Sequence, residues 1–126
     1  MAEPISATAA ALDAVGWLPV VGAAINVALG LNGLLRPAAT AGFTSVAPVG
    51  RIGVSEIRAT YGGLFLAFGL FALGSGSPVA FRALGCGWLG AAVGRVASIV
   101  VDRSREPRNF GAVAFEAVIA ALLLAA

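Results

Sequence analysis

The most constraining feature of this sequence is the spacing of its charged residues, which leaves long intervals without any charge. No charged residue stands between Asp13 and Arg36, and none stands between Arg58 and Arg82. Each interval is long enough for the ~20 apolar residues that an α-helix needs to cross the ~30 Å hydrocarbon core of a bilayer. The spacing therefore predicts membrane-spanning helices.

Composition supports the same class of protein. The chain has 126 residues, of which 60% are apolar and 11% are charged, whereas soluble domains average about 45–50% apolar and about 25% charged residues. A soluble domain of this size leaves much of its surface in water, which is incompatible with so high an apolar content. A soluble fold is therefore excluded, and a disordered chain is excluded by the same apolar content. A single cysteine, Cys86, and the absence of histidine exclude disulfide scaffolds, multi-cysteine metal or redox sites and imidazole-based catalysis.

We predict an all-α fold, an integral membrane four-helix transmembrane bundle with up-down-up-down topology. The chain is expected to form a single transmembrane domain over residues 1–126. The four spans are placed at about residues 17–35, 57–73, 78–101 and 109–126. A mostly uncharged linker over residues 37–53 joins the first two spans, and the sequence leaves open whether it lies along the membrane interface or re-enters the bundle.

The arginines predict the orientation. Four spans place both termini on one side, and the loops on the opposite side carry five arginines against one on the side of the termini. The positive-inside rule then places those loops in the cytoplasm and both termini in the periplasm or exterior. No aromatic residues interleave with the basic ones, so nucleic acid is not an expected partner. The five arginines are Arg36, Arg51, Arg103, Arg105 and Arg108.

Two charges fall inside predicted spans, where charge is energetically unfavourable. Arg95 lies about seven residues before the end of the third span and Glu116 about seven residues into the fourth, so each is roughly 10 Å deep. A single unpaired charge at such a position costs at least ~2.5–3.5 kcal/mol on insertion scales. Because the two spans are joined by a short loop, we expect Arg95 and Glu116 to form an ion pair.

Helical spacing places further polar side chains at the cytoplasmic half of the bundle. Two interpretations of this cluster remain open: it holds the helices in register, or it binds a small anionic or lipid-like ligand or carries a proton. Tyr61 with Glu116 is the sole candidate acid–base couple, so no enzyme activity, catalytic residue, cofactor or metal is predicted. The predicted cluster consists of Asn26, Arg58, Tyr61, Arg95, Ser98 and Glu116.

Glycines in the third predicted span suggest close helix packing. Gly90 and Gly94 form a small-xxx-small pair, a pattern that lets helix backbones approach in membranes. Together with Gly85 and Gly87 they predict that the third span is the central, tightly packed helix of the bundle.

The segment Arg58-Ala-Thr-Tyr-Gly-Gly63, followed by Gly94-Arg95 and then Glu116, resembles a group of small bacterial membrane proteins classified only as a domain of unknown function. The resemblance covers about residues 18–126 and implies four helices and a bacterial inner-membrane location, but no activity. Members often carry Asp-Gly after the third span. Here the pair is Asp102-Arg103, so a turn glycine is missing.

The sequence therefore predicts a small multi-pass membrane protein without catalysis. The preferred interpretation is an accessory or structural subunit that docks against a larger membrane complex. The alternative is a binder or transporter of a lipid-like or small anionic ligand that uses the Arg/Glu cluster. Membrane lipids and either a protein partner or further copies of the chain are the expected partners.

Overall fold

A computed structural model describes residues 3–126, and every regular element within that range is helical. The prediction of an all-α fold is therefore confirmed. The elements are α1 (Glu3–Val15), α2 (Trp17–Leu35), α3 (Pro37–Thr44), α4 (Gly50–Ile57), a π-helical segment (Arg58–Leu64), α5 (Phe65–Ser75), α6 (Pro78–Val101) and α7 (Pro107–Leu124).

Four helices in the described part of the chain are long and apolar enough to cross a membrane, as the charge spacing predicts. They are Trp17–Leu35, the continuous helix Gly50–Ser75 made of α4, the π segment and α5, then Pro78–Val101 and Pro107–Leu124. The second of them begins at Gly50, before the position near Ile57 that the sequence suggested. The boundary near Ile57 followed only the apolar stretch of the sequence, whereas this helix also includes the polar residues that precede it.

The linker predicted over residues 37–53, whose conformation the sequence left open, is helical at both ends. Its first half is α3, and its last four residues already belong to α4. Proline occupies the first turn of α3, as it does in α6 and α7, where its missing N–H is tolerated and its fixed φ suits a helix. Ser45 ends α3 in the left-handed conformation with φ of 60°, which turns the chain toward α4.

The contacts of the chain divide it into two compact units. The first unit contains the chain up to Gly22 together with Ser75–Ala126, and the second contains Ala23–Gly74.

In the second unit, the end of α2 runs antiparallel to the helix Gly50–Ser75, and glycines bring the two backbones together. A Cβ atom on Gly33 would lie 2.4 Å from the carbonyl oxygen of Tyr61, and one on Gly69 would lie 2.7 Å from a methyl carbon of Val27. Real Cβ atoms do not approach other atoms this closely, so a larger residue at either position would force its neighbours to shift. Small residues at helix crossings are typical of membrane bundles.

In the first unit, α6 and α7 form an antiparallel hairpin. Arg82 near the start of α6 donates a hydrogen bond to the backbone oxygen of Ala126 over 2.6 Å. Further along, the rings of Trp88 and Phe115 meet edge to face with centroids 5.9 Å apart and planes at 79°, a favourable aromatic geometry. These pairs fix the register of the hairpin.

The prediction that the third span is tightly packed is wrong for the described chain. Gly85 contacts the α7 leucines, but a Cβ atom on Gly87, Gly90 or Gly94 would meet no atom within 4 Å. Only 17% of the apolar window of α6 is buried, against 33% for α2. A small-xxx-small pattern shows that a helix can pack closely, and here that face of α6 has no neighbour within the described residues.

Candidate functional site

The hairpin places Arg95 of α6 opposite Glu116 of α7. Arg95 Nε donates a hydrogen bond to Glu116 Oε1 over 2.6 Å, and the two groups form an ion pair. The Glu116 side chain is 9% exposed and that of Arg95 is 36% exposed. The carboxylate is therefore the buried partner, and it depends on the guanidinium for its main electrostatic compensation, because burial makes an unpaired charge very unfavourable.

Polar contacts continue from Arg95 to the loop between the two helices. Arg95 Nη1 donates to Asn109 Oδ1 over 3.2 Å. Asn109 Nδ2 donates to the carbonyl oxygen of Ser104 over 3.0 Å and to Ser104 Oγ over 3.2 Å. Ser104 Oγ in turn donates to Glu106 Oε2 over 2.9 Å. An unbroken hydrogen-bonded chain thus connects the buried Glu116 to the exposed loop.

Glu106 at the end of this chain lies outside the spanning helices and is fully exposed. A hydrogen bond from its own backbone N–H, together with the one from the Ser104 hydroxyl, holds the pKa of its carboxyl below the ordinary value of 4.5. Hydrogen bonds to a carboxylate favour its charged form. The folded loop therefore favours the ionised form of Glu106.

One atom of the ion pair lacks a partner. Oε2 of Glu116 is buried and forms no hydrogen bond with any described residue. Buried carboxylate oxygens normally have partners, so this atom is an open hydrogen-bonding position in the polar chain.

Ser98 belongs to the same unit but not to the same set of contacts. Its hydroxyl donates to Asp102 Oδ2 over 2.8 Å, one helical turn later. This contact lies at the end of α6, so Ser98 supports the helix terminus.

The other predicted site residues lie in the second unit, and each contacts the backbone or a ring there. Arg58 Nη1 donates to the carbonyl oxygen of Leu34, one of the last carbonyls of α2, which lack partners within their own helix. The buried Asn26 donates through Nδ2 to the carbonyl oxygen of Phe65 over 2.6 Å. That Asn26, Arg58 and Tyr61 form one cluster with Arg95, Ser98 and Glu116 stays a prediction.

The π segment coincides with the motif that carried the family resemblance. Residues Arg58–Leu64 read Arg-Ala-Thr-Tyr-Gly-Gly-Leu, and the Tyr61 ring lies 6.0 Å from that of Phe65. Adjacent glycines weaken the ordinary helix, and Gly62 also meets the α2 backbone, since a Cβ there would lie 2.8 Å from the nitrogen of Leu34. π-helical turns are rare and occur frequently at functional sites.

A cavity of about 470 Å³ opens beside the start of the π segment. One face of α4 and the loop before it form its walls, and no sequence pattern had indicated it. The lining residues are Val46, Ala47, Pro48, Val49, Ile52, Gly53, Glu56, Ile57, Thr60 and Tyr61.

Sequence reasoning also missed Asn109 as a partner of Arg95, although its position seven residues before Glu116 places both on one face of α7. Within residues 3–126, no group of three or more histidine, cysteine, aspartate or glutamate side chains is arranged to hold a metal ion.

Comparison with known families gives one match. A family model described as "Domain of unknown function (DUF4345)" matches residues 15–126, nearly the whole described chain. Neither a curated protein nor a solved structure matches the sequence significantly.

Proposed function

The chain belongs to the DUF4345 family of domains of unknown function, and from that premise we propose that it is a non-enzymatic membrane subunit that docks against a larger membrane complex. The observation that carries the proposal is the open glycine face of α6. Gly87, Gly90 and Gly94 would each accept a Cβ atom without any contact, although they lie in a helix long and apolar enough to span a membrane.

Exposed small residues continue this face along most of α6 and form a small-residue stripe. Its members follow one another at intervals of four, three, four and three residues, the spacing that keeps one helix face against a partner helix. Leucine packs as favourably against lipid tails as against protein, so it does not drive helix association in a membrane. Small residues favour association because they let the backbone approach a second helix closely. The stripe consists of Ala83, Gly87, Gly90, Gly94 and Ala97, all of them exposed.

Contacts of the polar residues support a structural role over catalysis. Arg95 holds the buried carboxylate of Glu116, Arg58 bonds to a helix-terminal carbonyl, and Asn26 bonds to a backbone carbonyl. Each of these contacts joins helix to helix. None of them involves the stripe on α6, which stays open for assembly.

The test compares substitutions at two glycines at which an added Cβ atom would meet no other atom within 4 Å. Gly90→Leu fills the stripe, whereas Gly111→Leu changes an α7 glycine that also has no atom within 4 Å of a Cβ. Both variants should fold, since leucine is the better helix former by about 0.8–1.0 kcal/mol. Copurification of specific membrane proteins should fall at least tenfold for Gly90→Leu and stay at the wild-type level for Gly111→Leu. Equal recovery with all three proteins would rule out docking through the stripe.

We also propose that the chain lies in a bacterial inner membrane with both termini in the periplasm or exterior. Arginine dominates the loops after α2 and α6, which the positive-inside rule places in the cytoplasm. A reporter that is fluorescent only in the cytoplasm should stay dark when fused after Ala126 and become fluorescent when inserted between Arg103 and Arg105.

A second candidate function is binding of a small anionic or lipid-like ligand at Arg95. The observation that favours it is the 36% exposure of this side chain, which keeps part of it accessible within an apolar helix. Dodecyl phosphate should then bind the wild type and lose affinity at least tenfold with Arg95→Leu. Unchanged affinity would exclude the site.

A further inference from the structure

The open cavity beside the π segment is a surface depression with room for a small molecule. Its volume of about 470 Å³ falls within the ~300–1,000 Å³ that small-molecule sites occupy. Its walls are mainly apolar, with a few polar groups supplied by Glu56, Thr60 and Tyr61. Such a combination binds a molecule that is largely apolar and carries one polar or charged group.

The charge of the lining is negative. Glu56 is the one charged residue among the lining residues, and its carboxylate takes part in no hydrogen bond or ion pair with the part of the chain that the structure describes. Arg51 and Arg58, its nearest basic residues in sequence, do not line the cavity, and Arg58 is engaged with the carbonyl oxygen of Leu34. The carboxylate of Glu56 therefore favours a cationic group next to it.

The cavity lies at the end of a membrane-capable helix. α4 begins the helix Gly50–Ser75, and the charged residues of the helix are confined to this end, which the remaining apolar length places at the membrane surface. Val49 and Ile52 on the cavity wall are 82% and 73% exposed. Exposed apolar side chains next to a carboxylate at the membrane surface suit the boundary between lipid headgroups and acyl chains.

We propose that this cavity binds the headgroup of a phospholipid that carries an ammonium group. The ammonium pairs with the Glu56 carboxylate, and the upper part of an acyl chain lies against Val49 and Ile52. Thr60 and Tyr61 supply the remaining polar contacts from the π segment, which gives that segment a role in shaping the site. This assignment rests on the membrane location and not on docking through the small-residue stripe.

The test is lipid titration of the full chain in detergent, read by native mass spectrometry. Phosphatidylethanolamine and phosphatidylglycerol serve as probes, because they share the acyl chains and the phosphate but only the first carries an ammonium group. Wild-type protein should bind phosphatidylethanolamine at least tenfold more tightly, and Glu56→Gln should remove that preference. Glu106→Gln, which deletes an exposed carboxylate outside the cavity, should retain it.

A second variant and a third probe complete the design. Ala47→Phe fills the cavity without changing charge and should lower phosphatidylethanolamine binding in the same way. Dodecylamine carries the ammonium group on a soluble chain, so tight binding of dodecylamine without binding of phosphatidylethanolamine would overturn the assignment to a phospholipid. A phosphatidylethanolamine affinity that is the same in wild type, Glu56→Gln and Ala47→Phe would overturn the site itself.

Discussion

Arg95 and Glu116 are 21 residues apart in sequence, and their side chains meet at 2.6 Å across the α6–α7 hairpin. The two partners are unequally buried, since the glutamate is 9% exposed and the arginine 36% exposed. This inequality decides which of the two is harder to replace.

Removal of Arg95 should destabilise the protein more than removal of the charge on Glu116. Arg95→Leu leaves a buried carboxylate without compensation, which costs about 3–5 kcal/mol. Glu116→Gln keeps an amide oxygen that can still accept a hydrogen bond from Arg95 Nε, and Asn109 stays in contact with the guanidinium, so the loss should be about 1 kcal/mol. Thermal unfolding of both variants in the same detergent measures the difference. A lower melting temperature for Glu116→Gln than for Arg95→Leu would contradict the assignment of the buried partner.

Replacement of Arg103 by glycine should stabilise the folded protein. Arg103 adopts a φ of 55°, a left-handed conformation that costs an L-residue roughly 1–2 kcal/mol. The family resemblance implies a glycine at this turn, and the left-handed φ of Arg103 is a backbone conformation that glycine adopts without strain. Arg103→Gly should raise the free energy of unfolding by about 1 kcal/mol, and Arg105→Gly provides the control at a neighbouring loop position. An equal or lower stability of Arg103→Gly would refute this account.

Substitution of glycine by alanine should destabilise the protein on α2 and stabilise it on α6. Gly33→Ala places a Cβ atom 2.4 Å from the carbonyl oxygen of Tyr61, and backbone cannot move aside cheaply, so we expect a loss of about 1–3 kcal/mol. Gly94→Ala meets nothing within 4 Å and should gain about 0.8–1.0 kcal/mol from helix propensity. Chemical denaturation of the two variants gives the sign of each change, and the same sign for both would disprove the packing described for these helices.

The contribution of Glu106 to stability should depend on pH. Its pKa is held below the ordinary value of 4.5 in the folded chain, so the unfolded chain binds its proton more readily. A carboxyl of this kind stabilises the fold above its unfolded pKa, and that contribution disappears as the pH falls through the lower, folded value. The melting temperature of the wild type should exceed that of Glu106→Gln near neutral pH, and the two should converge below pH 4.5. A gap that stays constant with pH would count against the hydrogen-bonded loop.

The sequence was sufficient for the four membrane-capable helices and for one contact. Charge spacing located the membrane-capable helices because charges are unfavourable within a bilayer, and the matching positions of Arg95 and Glu116 on consecutive helices predicted their pairing. The π segment was not predictable in this way, since a π turn changes the hydrogen-bonding offset without a clear change in the apolar pattern. Gly62 and Gly63 indicated only that close packing was allowed.

The α6 glycines show a second limit of sequence reasoning. Gly90 and Gly94 have the spacing of a packed helix pair, but the pattern does not say which helix is the partner. Within the described chain no atom lies within 4 Å of a Cβ built on either glycine, and this is the observation on which the docking proposal rests. The cavity at Glu56 was missed for a related reason, because its walls come from a loop and a helix whose approach has no sequence signature.

The most direct test of the docking proposal is native mass spectrometry of the protein extracted gently from its own membranes. The account predicts a mass well above the 12.5 kDa of one chain, with other membrane proteins identified in defined stoichiometry and lost from the Gly90→Leu variant. A single chain, or an oligomer of this chain alone, would contradict it.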